Sequence, residues 1–486
     1  MTIDTATIEQ IDALFRDRVD RGVAPSSVWG VFDPDGLVAS GGHGDRGDGR
    51  APHADTVYRI ASCTKSVTAA TLLTLVADGR IDLDAPITDA VPAFAAVRLP
   101  TPDSPVPTLR MLLTMSAGFP TDDPWGDRQE SISDDELDAV LRDGLLFDSV
   151  PGTGFAYSNL GYALLGRAVA HAAGRPFTEV ATDSVLRPLG LDETVFQASD
   201  AHGHVVVGAR PFAGTWEPLP LSGPGAFSPI GGLFSTVTDL SRWARHLSSA
   251  FAPIRSGAAA EPGPVSAADR RTMQQAMRQI PRTALPSAKR PIGYGFGLFV
   301  EHDDDHGTIV SHSGGYPGFS AHMRWSVRTG LGVVAFENAT QAKVSVPTET
   351  AHDLMLAASA AADRAADPAA ADGRRPVRVL PETRAAQAAV TRLLSDWDDR
   401  LADAVCTPNV AMDVPYDRRR SAVAEAVAAV GADLTASPVA EESATPTHLR
   451  WWLPGTSGRL RIEIRLAPLA AGLVQTLTCV AEPSER

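Results

Sequence analysis

An α+β fold is predicted by three features of this sequence. An amphipathic helix near the start runs straight into a tight hairpin. A mostly helical stretch follows. Short alternating segments separated by turns then crowd together between residues 293 and 337. The expected division is one large unit over residues 1–365, a linker over 366–377 and a small accessory α+β domain over 378–486, the last close to the common domain size.

Taken in order, residues 8–21 read as a helix because Ile8, Ile11, Leu14, Phe15 and Val19 fall on one stripe. Residues 28–32 and 37–40 form a hairpin across Asp33-Pro34-Asp35-Gly36, whose residue types mark a tight turn. Residues 56–60 lead into a helix carrying Ser62 and Lys65 that ends near Gly79. A proline-rich connection over 100–107 precedes a short helix over 109–115, then a polar loop over 122–129 with Trp125 embedded in it as a lid or a packing anchor. Tyr157-Ser158-Asn159 stands at a loop-to-helix junction. There Tyr157 and Asn159 either face a cleft, or serve as a satisfied buried tyrosine and a helix cap.

A glycine-rich run over 223–234 leads into another helix. Residues 252–290, with repeated Pro, Ala, Ser and Arg, are expected to be partly mobile. Strands are expected over 293–300, 307–312, 320–326 and 331–337, as an antiparallel meander. His302-Asp303-Asp304-Asp305-His306 has metal-ligand residue types, but its place at a hairpin tip reads as a solvated turn, and no metal or cofactor is expected. In the small domain, residues 382–405 and 418–430 are helical in pattern and 449–453, 460–466 and 474–480 are strand-like.

Composition narrows the function classes. The 44% hydrophobic and 21% charged content is that of an ordinary globular chain. A formal net charge of -15 argues against general nucleic-acid binding and against docking on anionic lipid. The start lacks the basic and apolar regions of a signal peptide, and no apolar run approaches the roughly 20 residues of a membrane helix, so a cytoplasmic protein is expected. Cys63, Cys406 and Cys479 are too few and too scattered for a disulfide framework.

Chemistry concentrates at Ser62-Cys63-Thr64-Lys65. Residues three apart on a helix share a face, so the lysine amine reaches the serine hydroxyl, which needs such help to act as a nucleophile. Lysine occurs only at 65, 289 and 343, and arginine could not replace Lys65 as a base because its guanidinium keeps its proton. Three signatures then follow one order: Ser62-x-x-Lys65, Tyr157-Ser158-Asn159 and His312-Ser313-Gly314-Gly315. This plan resembles that of the serine β-lactamases and penicillin-binding proteins, in particular the class C β-lactamase-like branch, which includes D-alanyl-D-alanine peptidases, D-aminopeptidases and esterases. The resemblance covers roughly residues 8–360 and implies a β-lactamase/transpeptidase-like fold. For the accessory domain it implies a unit similar to those of some family members, lipocalin-like ones among them.

The resemblance implies that Ser62 forms an acyl-enzyme, that Lys65 and Tyr157 share the proton traffic, and that Asn159 fixes the substrate or the lysine. It places His312 on the strand edge facing the nucleophile, and the backbone N–H groups of Ser62 and Gly315 in the oxyanion hole. Trp125, Gly314 and Tyr316 are the further expected substrate contacts. His312 stands where many members have lysine, which weakens the β-lactamase reading, since histidine supplies no fixed positive charge for a substrate carboxylate. The chain also resembles the stand-alone penicillin-binding-protein-type thioesterases. The preferred expectation is therefore release and macrocyclisation of a nonribosomal peptidyl thioester, D-configured and carrier-protein-bound. The alternative is a cytoplasmic esterase, D-aminopeptidase or D-peptide amidase.

Overall fold

The computed structural model describes residues 3–252, 259, 262–286, 288–366 and 377–484. The chain divides into two units, Met1–Asp363 and Arg364–Arg486. Most of the expected linker lies outside the described residues.

The first unit is built on an eight-stranded antiparallel sheet. Its strands run in the spatial order Leu37–Gly44, Ser26–Phe32, Gly332–Glu337, Phe319–Ser326, Gly307–Tyr316, Phe299–Asp303, Ile292–Tyr294 and Arg278–Gln279. The opening hairpin therefore pairs with the end of the meander, from Ser27 opposite Glu337 to Phe32 opposite Gly332. Strand side chains alternate between faces, and here both faces are covered. Trp29 and Val31 pack with Ile11, Phe15, Ala351 and Met355 of the helices Thr5–Asp20 and Ser345–Ala366. Val28 and Phe32 join the larger core on the other face, with Val237, Leu240 and Trp243 of the helix Val237–Ser249.

The helix Thr64–Ala77 is buried from Thr64 through Leu73. Its apolar and small residues lie all round rather than on one stripe, which is the pattern of a helix enclosed by the fold. The expected strand over 293–300 is in fact two, because the chain turns at Gly297 (φ +72°), where a Cβ would lie 2.5 Å from the Lys65 carbonyl oxygen. The sheet thus bends back directly over the Ser62 helix. Of the stretch expected to be mobile, 253–258, 260–261 and 287 lie outside the described residues, and the remainder includes a helix, Ala267–Met273, and the edge strand Arg278–Gln279. At the His302–His306 hairpin, Asp303 accepts from the backbone N–H groups of Asp305 and His306 and pairs with Arg290, which is turn chemistry.

The second unit places the helices Pro381–Ser395, Asp399–Val405, Asn409–Asp413 and Tyr416–Val430 with a four-stranded antiparallel sheet, Ala440–Glu442, His448–Gly455, Gly458–Leu466 and Val474–Pro483 in sequential order. Val390, Val430, Trp451 and Ile462 share its core. The helix expected over 382–405 is broken, and Asp398 starts the next one by accepting from Arg400 N at 3.0 Å. Among the described residues the sheet of this unit has four strands, fewer than the eight that a lipocalin closes into a barrel, and Cys406 bridges to Val474 on its outer strand. No helix among the described residues is long and apolar enough to cross a membrane.

Candidate active site

The nucleophile is presented by a strained turn. Tyr58–Arg59 pairs with Phe234–Ser235, and Ile60 N–H donates to Leu233 O at 2.9 Å. The next residue, Ala61, has φ +46°, a left-handed conformation that a residue with a Cβ adopts at a cost. A short 3-10 turn, Ala61–Cys63, then carries Ser62 into the helix Thr64–Ala77. Ser62 keeps 6% of its surface exposed while Lys65 beneath it has none.

Three oxygens surround the Lys65 amine: Ser62 Oγ at 3.0 Å, Asn159 Oδ1 at 2.7 Å and Ile230 O at 2.9 Å. The two carbonyl-type oxygens can only accept. In the neutral amine they take its two hydrogens, and the lone pair is left facing the Ser62 hydroxyl. Burial lowers the Lys65 pKa from 10.5 to about 8, with the carboxylates of Asp123, Asp127 and Asp122 opposing a further fall. A lowered pKa and a lone pair directed at a hydroxyl are what a base for Ser62 would need.

Asn159 does not cap its helix. Ser158 is the N-cap of Asn159–Ala173, its hydroxyl accepting from Gly161 N at 3.1 Å, and this frees the Asn159 side chain to turn inward. Asp122 completes the helix start by accepting from Asn159 N at 2.6 Å and Leu160 N at 2.8 Å. Asp123 accepts from Asn159 Nδ2 at 3.0 Å. Burial raises Asp127 to about 7, although the Lys65 charge opposes this. The 122–127 segment, read from the sequence as a polar loop, thus carries three carboxylates beside the lysine. Asp122 followed by Asp123-Pro124 is a helix-start signal for the one-turn helix Asp123–Gly126, and could have been read as one.

The Tyr157 ring is half-buried. It stacks on Phe299 (6.3 Å, 4°) and lies edge-on to Tyr294 (6.2 Å), with the Lys65 amine 5.0 Å from its centroid. Burial and then the Asp123 charge push its pKa well above 10, while a hydrogen bond with the Ser62 hydroxyl opposes them. Tyr157 accordingly holds its proton.

His312 lies on the strand Gly307–Tyr316, with its imidazole turned toward Tyr157. The imidazole is buried behind Tyr157. Its Nδ1 lies 2.6 Å from Ser313 O, which can only accept, so Nδ1 carries the hydrogen and Nε2 accepts from the Tyr294 hydroxyl at 3.0 Å. Burial, and then the Lys65 charge, lower its pKa to about 3. His312 is thus a neutral group packed against Tyr157, in line with the absence of a fixed positive charge expected at this position. Tyr294, its partner, was not singled out in the sequence.

The strand Gly307–Tyr316 runs beside the nucleophile turn, with Cys63 Sγ donating to His312 O at 3.3 Å. Gly314 is a close-approach residue rather than a substrate contact, because a Cβ there would lie 2.2 Å from Ile60 O. Gly315 is exposed and its Cβ position is open, which leaves room beside its backbone for a substrate oxygen. Tyr316 is largely spent: its hydroxyl is 2.7 Å from Ser222 Oγ, and its ring carries the Arg59 guanidinium at 4.0 Å. Trp125 is a packing anchor, edge-on to Phe227 at 5.5 Å with 40% of its surface exposed. Cys63 is fully buried, and burial pushes its thiol up to about 12, both of which disfavour it as a nucleophile.

Comparison with known proteins agrees with this geometry. Residues 11–358 match the family described as Beta-lactamase. The D-alanyl-D-alanine-carboxypeptidase/endopeptidase AmpH of Escherichia coli (strain K12) is 32% identical over 211 residues, 42% of this chain and 52% of that protein, so the chain spans about half the length of that relative. The D-stereospecific amidohydrolase from Streptomyces sp. superposes with a TM-score of 0.57 at 24% identity, covering 72% of this chain and 98% of its own. The octameric penicillin-binding protein homologue from Pyrococcus abyssi gives a TM-score of 0.60 at 19% identity and covers 98% of both chains.

Proposed function

This chain belongs to the β-lactamase family, and from that premise we propose that it is a serine acyl-transfer enzyme acting on D-configured aminoacyl or peptidyl amides and esters. The observation that carries the reading is the set of partners around Lys65, two accepting oxygens and one serine hydroxyl. In acylation, the Ser62 Oγ–carbon bond forms as the serine proton passes to Lys65. The bond to the leaving group breaks as that group takes the Tyr157 proton. The developing oxyanion is held by the N–H groups of Ser62 and Gly315. Water or an amine then attacks the acyl-enzyme, and the protons return by the same route.

Two features support a substrate without a carboxylate at the reacting end. His312 is neutral, and Asp122, Asp123 and Asp127 surround the lysine with negative charge. The names of the Escherichia coli relative and the Streptomyces amidohydrolase, both of which specify D-residues, support the D configuration. The second reading is thioester release by macrocyclisation, with the peptide's own amine as acceptor. It is favoured by the same anionic loop, which attracts an amine. A tethered amine would profit from its high effective concentration.

The test is acylation of Ser62 by a D-aminoacyl amide, its L-enantiomer and benzylpenicillin, alongside a peptidyl N-acetylcysteamine thioester ending in a D-residue. The proposal expects the neutral D-amide to acylate fastest. Faster acylation by the anionic penicillin would contradict it. Mainly cyclic product from the thioester selects the second reading, and mainly linear acid the first.

A further inference from the structure

We propose that Asp123 is a positioning residue: by accepting from Nδ2 of Asn159 it fixes the carboxamide with its oxygen toward Lys65, and so keeps the free position on the amine for the Ser62 proton. The inference rests on the Ser62 acyl-transfer reading and adds to it a residue that touches neither the substrate nor the reacting atoms.

The argument is one of donors and acceptors. A carboxamide presents an accepting oxygen on one side and two N–H donors on the other, and rotation by half a turn exchanges them within almost the same volume. With the oxygen inward, Asn159 takes one amine hydrogen at 2.7 Å and Ile230 O takes another at 2.9 Å, and the lone pair of the neutral amine faces Ser62 Oγ at 3.0 Å. With the nitrogen inward, an amide N–H would donate into that same lone pair and compete with the serine proton. What decides between the two is the group on the outer side of the amide. Asp123 Oδ1, 3.0 Å from Nδ2, can only accept, so the unproductive rotamer would set oxygen against carboxylate.

The neighbourhood holds Asp123 in place. Asp122 is pinned by two backbone N–H groups at the start of the Asn159 helix. Gly126, at the other end of the one-turn helix, lies so close that a Cβ would be 2.5 Å from Asn159 Cβ. The backbone of 122–126 and the carboxamide are thus seated against each other at three points.

The test compares Asp123→Asn and Asp123→Glu with the parent chain. Asparagine has the size of aspartate but both donates and accepts, so it satisfies either rotamer. Glutamate again only accepts. The readout is the rate of labelling of Ser62 by a fluorophosphonate probe between pH 6 and 10, with the adduct located by peptide mass and Ser62→Ala as the control. Charge and orientation separate in this profile. The titratable groups facing Lys65 are Asp122, Asp123, Asp127, Glu130, Cys63, Tyr157, Tyr162 and His312. Loss of the Asp123 charge alone moves the rising limb to lower pH and leaves the high-pH plateau intact.

Loss of orientation lowers the plateau itself. The expected result is a plateau about twofold lower in Asp123→Asn, because the two rotamers are then about equally populated, with most of the rate restored in Asp123→Glu. An Asp123→Asn plateau equal to that of the parent overturns the proposal, as does a loss that Asp123→Glu does not restore. If the parent chain is not labelled at Ser62 at all, the underlying acyl-transfer reading fails, and this inference fails with it.

Discussion

The acylation rate should rise with pH through the neutral range, because only the neutral Lys65 amine can take the Ser62 proton. The perturbation is pH, and the magnitude follows from burial. A group titrating at about 8 is neutral in about one molecule in eleven at pH 7 and about ten in eleven at pH 9. The rate constant should therefore increase about tenfold across that interval and then level off. An ordinary exposed lysine would still be climbing at pH 10.

The assay is stopped-flow acylation by an N-acetylated D-aminoacyl ester, which has no group that titrates between pH 6 and 10, so that substrate ionisation does not enter. Lys65→Arg keeps a positive charge but cannot serve as a base, and should lose about 10²–10⁴-fold at every pH. A flat profile between pH 6 and 9, or a limb centred near 10, would refute the assignment of Lys65 as the base. So would an arginine variant within a few-fold of the parent.

Three further outcomes are expected. Tyr157→Phe should fold normally and lose about 10²–10⁴-fold in rate, most of all with poor leaving groups that depend on the phenol proton. An unchanged rate would return Tyr157 to a packing role. Gly126→Ala puts a Cβ within 2.5 Å of Asn159 Cβ. It should lower kcat by about tenfold through displacement of Asn159, and lower the thermal midpoint as well, because Gly126 is buried. The third outcome concerns acid. His246, His312 and His352 are held neutral by burial, each with a pKa lowered from 6.5 to about 3. The unfolded chain takes up protons below pH 6.5 that the folded one does not. Stability should therefore fall as pH drops from 6.5 towards 3, by at most about 1.4 kcal/mol per pH unit for each histidine. Thermal midpoints against pH should show the fall, and His352→Gln should flatten it.

Much of the fold was legible because its signals are local. The stripe from Ile8 to Val19, the turn residues at 33–36 and the alternation of the late strands each fix an element from within a few residues. Ser62 and Lys65 were legible for the same reason, since helical spacing alone puts amine and hydroxyl on one face. The parts that escaped depend on partners distant in the chain. Histidine at 312 reads as a site residue by motif, yet its orientation is set by Tyr294, two strands away in the sheet. The acceptor at Ile230 is a backbone carbonyl and leaves no mark in residue type. Gly314 and Gly315 look alike in sequence, but one is pressed against Ile60 and the other faces open space. In the small unit, strand-like segments show their length and period but not whether their edges meet, so a four-stranded sheet could be taken for part of a barrel.

The central claim, that Ser62 carries the acyl group, is tested most directly by trapping the intermediate. The chain would be quenched in acid during turnover of a D-aminoacyl ester, digested, and the acylated peptide located by mass. The account predicts one acyl group on the peptide containing Ser62, fragment ions placing it on the serine oxygen, and no adduct in Ser62→Ala. Turnover with the acyl group on Cys63, or undiminished turnover in Ser62→Ala, would contradict it.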